Sequence, residues 1–365
     1  MTDGKHSFRL PDPRNRLPFR LVSGLMLVVV LTVLGISAFR TTLPQAEPWF
    51  AGYVDVTVSP AYPFETPASD AAKNVILSFI VAGAANPCEP RWGPHHTLDE
   101  AGTLLGLDAK LATLRENGGQ AAISFGGAAN TELATSCTDL PSLEDAYQGV
   151  VDRYGASTLD FDIEGANLGH PGAGARRAKA IAAVQEHQRS HGKQLEVWLT
   201  LPVSPRGLTD DGVAEVEAML QAGIELAGVN IMTMNYGESR SSGQGMLEAS
   251  ETAAATVHSQ LGIIYQRAGQ ELDSQALWAK LGLTPMIGLN EISTDVFDLE
   301  TARQFAEFAS ENKVARLSMW SHNRDKRCQP GSPDPTVASH ICSGTAQTPG
   351  AFAQVLGAPF AGTFR

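Results

Sequence analysis

Asp160, Asp162 and Glu164 occupy every second position of the stretch Ser157-Thr158-Leu159-Asp160-Phe161-Asp162-Ile163-Glu164. A period of two is that of a β-strand, whose side chains point alternately to opposite faces, so the three acids share one face. Burying carboxylic acids side by side is costly unless they share protons and hydrogen bonds. Proton transfer is the chemistry that calls for such a row. The competing reading is an edge strand with a wet polar face, but Leu159, Phe161, Ile163 and the nearby Tyr154 favour a strand buried on its other side.

The elements able to hold that row alternate along the chain. Strand-like runs fall at 53–58, 75–81, 121–125, 157–164, 195–201, 228–234, 285–289 and 315–320. Helical spacing falls at 98–116, 143–154, 175–188, 213–222, 246–268 and 301–310. This alternation predicts an α/β fold, a closed parallel (β/α)8 TIM barrel, with residues 49–365 as one domain. The site of such a barrel forms at the C-terminal ends of its strands. Ser124, Gly126 and Gly127 end the third strand, Glu164 the fourth, Met232, Asn235 and Tyr236 the sixth, Asn290 and Glu291 the seventh, and Trp320 the eighth. Taken singly, the glycine pair could be a tight turn and Trp320 a core residue. Their shared position predicts convergence on the acids.

The chain carries 27 basic and 39 acidic residues, a net charge of −12, with no basic cluster beyond residue 40. That balance argues against a nucleic-acid partner, whose phosphates need concentrated positive charge. The N-terminus differs: basic residues 1–20 precede an uncharged apolar run, 21–39, which as a helix spans roughly 28 Å, about a hydrocarbon core. One transmembrane or signal-anchor helix is expected there, with 1–20 cytoplasmic, a linker at 40–48, and the barrel outside the cell membrane. Cleavage near Ala38 would instead give a secreted protein.

Four cysteines in an exported chain suggest pairing, and proximity along the chain predicts Cys88 with Cys137 and Cys328 with Cys342, with the other two connectivities left open by the sequence. A zinc site of Cys88, His95, His96 and Cys137 is the rival reading, although the spacing lacks paired CxxC character. Neither a metal nor an organic cofactor is otherwise expected, and the protein is expected to be a monomer.

Ser124-Phe125-Gly126-Gly127 followed by Asp160-Phe161-Asp162-Ile163-Glu164 resembles the SxGG and DxxDxDxE pair of the family-18 glycoside hydrolases, the chitinases and their relatives. The segments 229–237, 284–288 and 317–321 agree in order. The resemblance runs from about Tyr53 to Trp320 and is strongest to compact bacterial exported chitinases. It implies hydrolysis of β-1,4-linked N-acetylglucosamine polymers with retention. Glu164 would be the general acid, Asp162 would turn between Asp160 and Glu164 while orienting the substrate's acetamido group, and that group's own oxygen would attack the anomeric carbon. Trp320 would floor the sugar ring.

Two positions depart from the family pattern. Ser157 stands at the first Asp position. Met234 and Asn235 stand where many chitinases carry Tyr-Asp, which removes a hydroxyl expected to hold the acetamido oxygen. Tyr236 or Asn235 is expected to take part of that role. A catalytically silent glycan-binding barrel and an endo-β-N-acetylglucosaminidase remain as alternatives.

Overall fold

The computed structural model describes residues 47–329 and 337–363, together with Met1. Eight strands, β1 (Trp49–Asp55), β2 (Asn74–Ala82), β3 (Gln120–Gly126), β4 (Thr158–Asp162), β5 (Glu196–Ser204), β6 (Leu226–Met232), β7 (Leu281–Thr284) and β8 (Arg316–Met319), pair in parallel around a ring. β8 pairs with β1, and β1 pairs with β2, so the sheet closes. The (β/α)8 barrel expected from the alternating periods is therefore the observed fold. Helices α1 (Leu107–Glu116), α2 (Leu140–Tyr154), α3 (Ala173–Ser190), α4 (Asp210–Gln221), α5 (Met246–Arg267) and α6 (Leu299–Glu311) follow β2 to β7 in turn, and α7 (Ala351–Gly357) follows β8.

Local sequence explains each boundary of α2. The Asp139 side chain accepts from the Ser142 amide at 3.0 Å, a proline sits in the first turn where its missing N–H costs nothing, and Gly155 ends the helix at φ 55°. Leu143, Tyr147, Val150, Val151 and Tyr154 recur at helical spacing and are all buried against the barrel. Full burial of one such side chain contributes about 1.5–3 kcal/mol.

β4 lies between β3 and β5, not at an edge. Its outward residues Leu159, Phe161 and Ile163 are fully buried under the helices. Phe161 stacks on Phe125 at 5.0 Å and meets Tyr147 edge-on at 5.3 Å. The acids take the inward face, beyond a layer containing Trp49, Tyr53, Ile76, Ala122 and Trp198.

Several boundaries differ from expectation. The helical run 98–116 is two helices, Leu98–Leu104 and α1, because Gly106 turns at φ 65° between them. The seventh strand is Leu281–Thr284 and not 285–289: Pro285 has no N–H for a ladder, and Gly288–Leu289 pairs instead with Val296–Phe297. The sixth strand stops at Met232, short of Met234.

Both expected disulfides are present, Cys88–Cys137 and Cys328–Cys342. Joined through sulfur, Cys88 and Cys137 offer no thiolate to zinc, so the zinc reading is withdrawn. The apolar run 21–39, its basic tail and most of the linker lie outside the described residues. Among the described residues no helix is long and apolar enough to cross a membrane.

Candidate active site

The segment 124–127 shapes the acidic strand through its backbone. Ser124 sits in register with Asp160 and donates to Asp160 Oδ2 at 2.7 Å. Gly126 has φ 98°, and a Cβ there would lie 2.1 Å from the Asp162 carbonyl oxygen. The Gly127 amide donates to that same oxygen at 2.9 Å. A Cβ on Gly127 would lie 2.7 Å from the Phe79 ring. Neither glycine is replaceable without moving a neighbour: together they let β3 press against β4 and admit Phe79 to the mouth.

Asp160 is wholly enclosed. Its Oδ1 accepts from Arg316 Nη1 at 2.6 Å and from Thr200 at 2.7 Å. Its Oδ2 accepts from Tyr53 at 2.9 Å as well as from Ser124. Arg316 also donates to the Tyr53 hydroxyl at 2.8 Å and to Ser318 at 2.9 Å, and its guanidinium lies 5.3–5.6 Å from the ring centres of Trp198, Trp49 and Tyr53. The network continues outward, with Asn230 donating to Thr200 at 3.0 Å and Thr284 donating to Asn230 at 2.9 Å.

Asp162 has a different environment. It is 5% exposed, and its Oδ1 has no hydrogen-bond partner among the described residues. Burial, then the charges of Glu164 and Asp160, push its carboxyl well above the usual carboxylate range, with Arg316 opposing. Glu164 follows the strand in an extended conformation, φ −143° and ψ 173°, which continues the alternation of the row. Its side chain is half-buried. Burial, then the carboxylate of Glu291, push it up to about 7. Burial and like charge thus act together against ionisation of these two adjacent acids.

The β6 and β7 loops are tied together by Asn235. It sits at φ 52°, a left-handed conformation that asparagine tolerates better than most side chains. Its amide N–H donates to Asn290 Oδ1 at 3.1 Å, and its own Oδ1 accepts from the Glu291 amide at 3.0 Å. Asn290 in turn donates to the Met286 carbonyl at 2.8 Å. Farther along, Asp295 accepts from the Gly237 amide at 2.9 Å and from Arg240 at 2.6 Å. Asn235 and Asn290 therefore work through loop position.

The strand's alternation ends at Met232, and after the left-handed step at Asn235 the chain enters a 3-10 turn at Tyr236. Met232 lies half-buried two residues beyond the inward Asn230, and Met234 is buried. Tyr236, expected on Met234's face, is 4% exposed in the outer core, where its hydroxyl reaches Ser250 of α5 at 3.4 Å. The structure does not bring Tyr236 to the acids.

Trp320 is half-buried just past β8. It stacks on Phe79 at 5.6 Å, with 19° between the planes, and lies 5.9 Å from Tyr53. Two aromatic rings thus form an apolar wall at the mouth. Sequence reasoning missed Tyr53, Phe79, Thr200 and Arg316. The parity of Tyr53, Thr200 and Arg316 on their strands would have placed them inward once the strand bounds were known. Phe79 has no such signal, because the β2–β3 register shifts between Leu77 and Ile80.

The fold and mouth define a TIM-barrel protein whose acid row and aromatic wall suit a neutral carbohydrate. No family model matches the chain. It is 35% identical over 284 residues to a probable bifunctional chitinase/lysozyme of Escherichia coli strain K12, covering 76% of this chain and 31% of that protein. It is 34% identical over 289 residues to endochitinase 11 of Metarhizium anisopliae, covering 76% and 52%. The chain thus spans about a third and about half of those curated relatives. The catalytic domain of a hyperthermophilic chitinase from Pyrococcus furiosus superposes with a TM-score of 0.71 at 31% identity, covering 88% of this chain and all of that domain. The chain belongs to the family-18 glycoside hydrolases, the chitinase family.

Proposed function

We propose that this protein hydrolyses β-1,4-linked N-acetylglucosamine polymers, chitin or chito-oligosaccharides, with retention of anomeric configuration. The carrying observation is the pairing of Asp162 and Glu164, two adjacent acids held above the ordinary carboxylate range beside an aromatic wall. Glu164 donates its proton to the glycosidic oxygen as that bond to the anomeric carbon breaks. The substrate's acetamido oxygen forms the new bond to the anomeric carbon, so no carboxylate nucleophile is needed. Asp162, with its unpartnered Oδ1, orients the acetamido N–H and stabilises the cyclic cation that forms. Water then attacks the anomeric carbon, the bond to the acetamido oxygen breaks to regenerate the acetamido group, and the water gives its proton to Glu164, which restores the acid. Trp320 and Phe79 supply the apolar surface for the ring.

The test uses the full chain, disulfides intact, on N-acetylglucosamine hexamer beside a Glu164→Gln variant. Shorter β-anomers from the parent alone support the proposal. Binding without cleavage by both would overturn it in favour of a silent glycan-binding barrel, which Met234 and the withdrawn Tyr236 hydroxyl specifically favour. Peptidoglycan and N-linked glycan, run as parallel substrates, distinguish a lysozyme-type or endo-β-N-acetylglucosaminidase activity. The apolar run 21–39 is proposed to anchor the protein in the cell membrane as a monomer with the barrel outside.

A further inference from the structure

Glu164 is followed by a largely exposed segment, 165–172, in which Gly165, Gly169 and Gly172 all have positive φ. Such a segment has little side-chain surface with which to fix its own shape. Asn167 is the one buried residue in it, 5% exposed. Its backbone amide donates to the Glu164 carbonyl at 3.1 Å and closes the turn that leaves the acid. Its side chain reaches the other way, to the loop after β3. There Oδ1 accepts from the Glu132 amide at 3.0 Å, and Nδ2 donates to the Asn130 carbonyl at 2.9 Å. Among the described residues no hydrogen bond holds the Glu164 carboxyl itself, so its place depends on the backbone that carries it.

The loop across that bridge is anchored on every side. The Thr131 carbonyl accepts from the Ala82 amide of β2 at 2.9 Å. The buried Glu132 carboxylate accepts from Arg177 Nε and Nη2 of α3 at 3.0 and 2.8 Å and from the Tyr147 hydroxyl of α2, while Arg177 also pairs with Glu215 of α4. Farther along, Cys137 is tied to Cys88. Breaking a buried ion pair of this kind is strongly destabilising, so residues 130–132 have a fixed place. We propose that Asn167 is a positioning residue for the acid: it transmits the fixed place of 130–132 to the turn after Glu164 and so holds the Glu164 carboxyl at the glycosidic oxygen. Asn167 touches no substrate in this role, and the inference rests on the hydrolytic reading. Its effect is confined to proton donation, which needs the acid within hydrogen-bond reach of the leaving oxygen.

The test compares the full-length parent with Asn167→Ala, Asn167→Asp and a control, Gln185→Ala. Gln185 makes a similar clamp at the opposite end of the barrel, its Oε1 accepting from the Glu225 amide at 2.9 Å and its Nε2 donating to the Leu195 carbonyl at 3.0 Å. Melting temperature is read beside kcat/KM on two substrates, on the acid side of the Glu164 limb. One is N-acetylglucosamine hexamer, whose leaving sugar needs the proton. The other is the para-nitrophenyl glycoside of di-N-acetylchitobiose, whose phenolate departs with little help from an acid. Loss of either clamp leaves buried backbone groups unpaired and should lower the melting temperature. Asn167→Ala alone should also lower kcat/KM on the hexamer, by at least about tenfold, with the nitrophenyl value within about threefold of the parent's. Gln185→Ala should keep both rates. Equal losses on the two substrates in Asn167→Ala, no loss on either, or the same split in Gln185→Ala would overturn the proposal. Should Asn167→Ala not fold, Asn167→Asp decides by the same comparison, since it keeps the acceptor for the Glu132 amide and loses the donor to Asn130. A parent that cleaves neither substrate defeats the hydrolytic reading and this inference with it, whereas an active parent with an unselective Asn167→Ala defeats the inference alone.

Discussion

The backbone amide of Glu291 donates to the side-chain oxygen of Asn235 at 3.0 Å, tying the loop after β7 to the loop after β6 and setting a carboxylate from outside the row against the acid Glu164. Glu164 must be protonated to act, so activity is expected to fall as pH rises through about 7. Glu291→Gln keeps the loop and removes the like charge. Its basic limb should move to lower pH, with kcat on the acid side within about two-fold of the parent, since an exposed charge mainly shifts the pKa. A limb unmoved by this variant would show that burial alone raises Glu164.

Glu164 also carries a stability consequence. Its folded pKa exceeds the ordinary carboxyl value, so its contribution is present below that value and is lost as pH rises through about 7. Glu164→Gln should raise the melting temperature at pH 8 and leave it near the parent's at pH 4. Equal shifts at both pH values would mean that the side chain's packing, and not its ionisation, sets the difference.

Gly126→Ala should cost about 1–3 kcal/mol from backbone strain alone, because φ is 98° there. The added methyl also collides with the Asp162 carbonyl. Activity at a temperature where the variant stays folded should therefore drop at least about tenfold, since an ångström of displacement at a reacting group is costly. Denaturant melts read the first effect and hexamer turnover the second; an active, stable variant would mean that β3 and β4 can part without harm.

Tyr236→Phe should leave kcat/KM within about two-fold, since its hydroxyl reaches only Ser250 at 3.4 Å, a long bond worth at most about 1 kcal/mol. A loss beyond tenfold on the hexamer would return Tyr236 to the site and contradict its placement under α5.

The two disulfides close loops of different length, 49 and 14 residues apart in sequence. Chain entropy gives about 4 kcal/mol for the longer and about 3 kcal/mol for the shorter. Replacing Cys88 and Cys137 by Ser should accordingly lower the melting temperature more than replacing Cys328 and Cys342. The reverse order would place the stabilisation in native-state contacts around residues 328–342.

The sequence by itself determined the barrel, the shared face of Asp160, Asp162 and Glu164, and both disulfides. Each follows from a short-range regularity: alternation of two periods, a spacing of two residues, and cysteines near each other along the chain. The seventh strand was misplaced because one proline removes a donor that apolar composition does not register. The fate of Tyr236 was equally hidden, since the strand ends at Met232 and a left-handed turn at Asn235 leads Tyr236 into a helical conformation, where strand alternation no longer applies. Only the closed barrel could decide that Arg316, 156 residues from Asp160, fills the last acceptor on that acid. No local pattern encodes that contact, because the ring of eight strands creates it when β8 comes back beside β1 and carries its arginine inward.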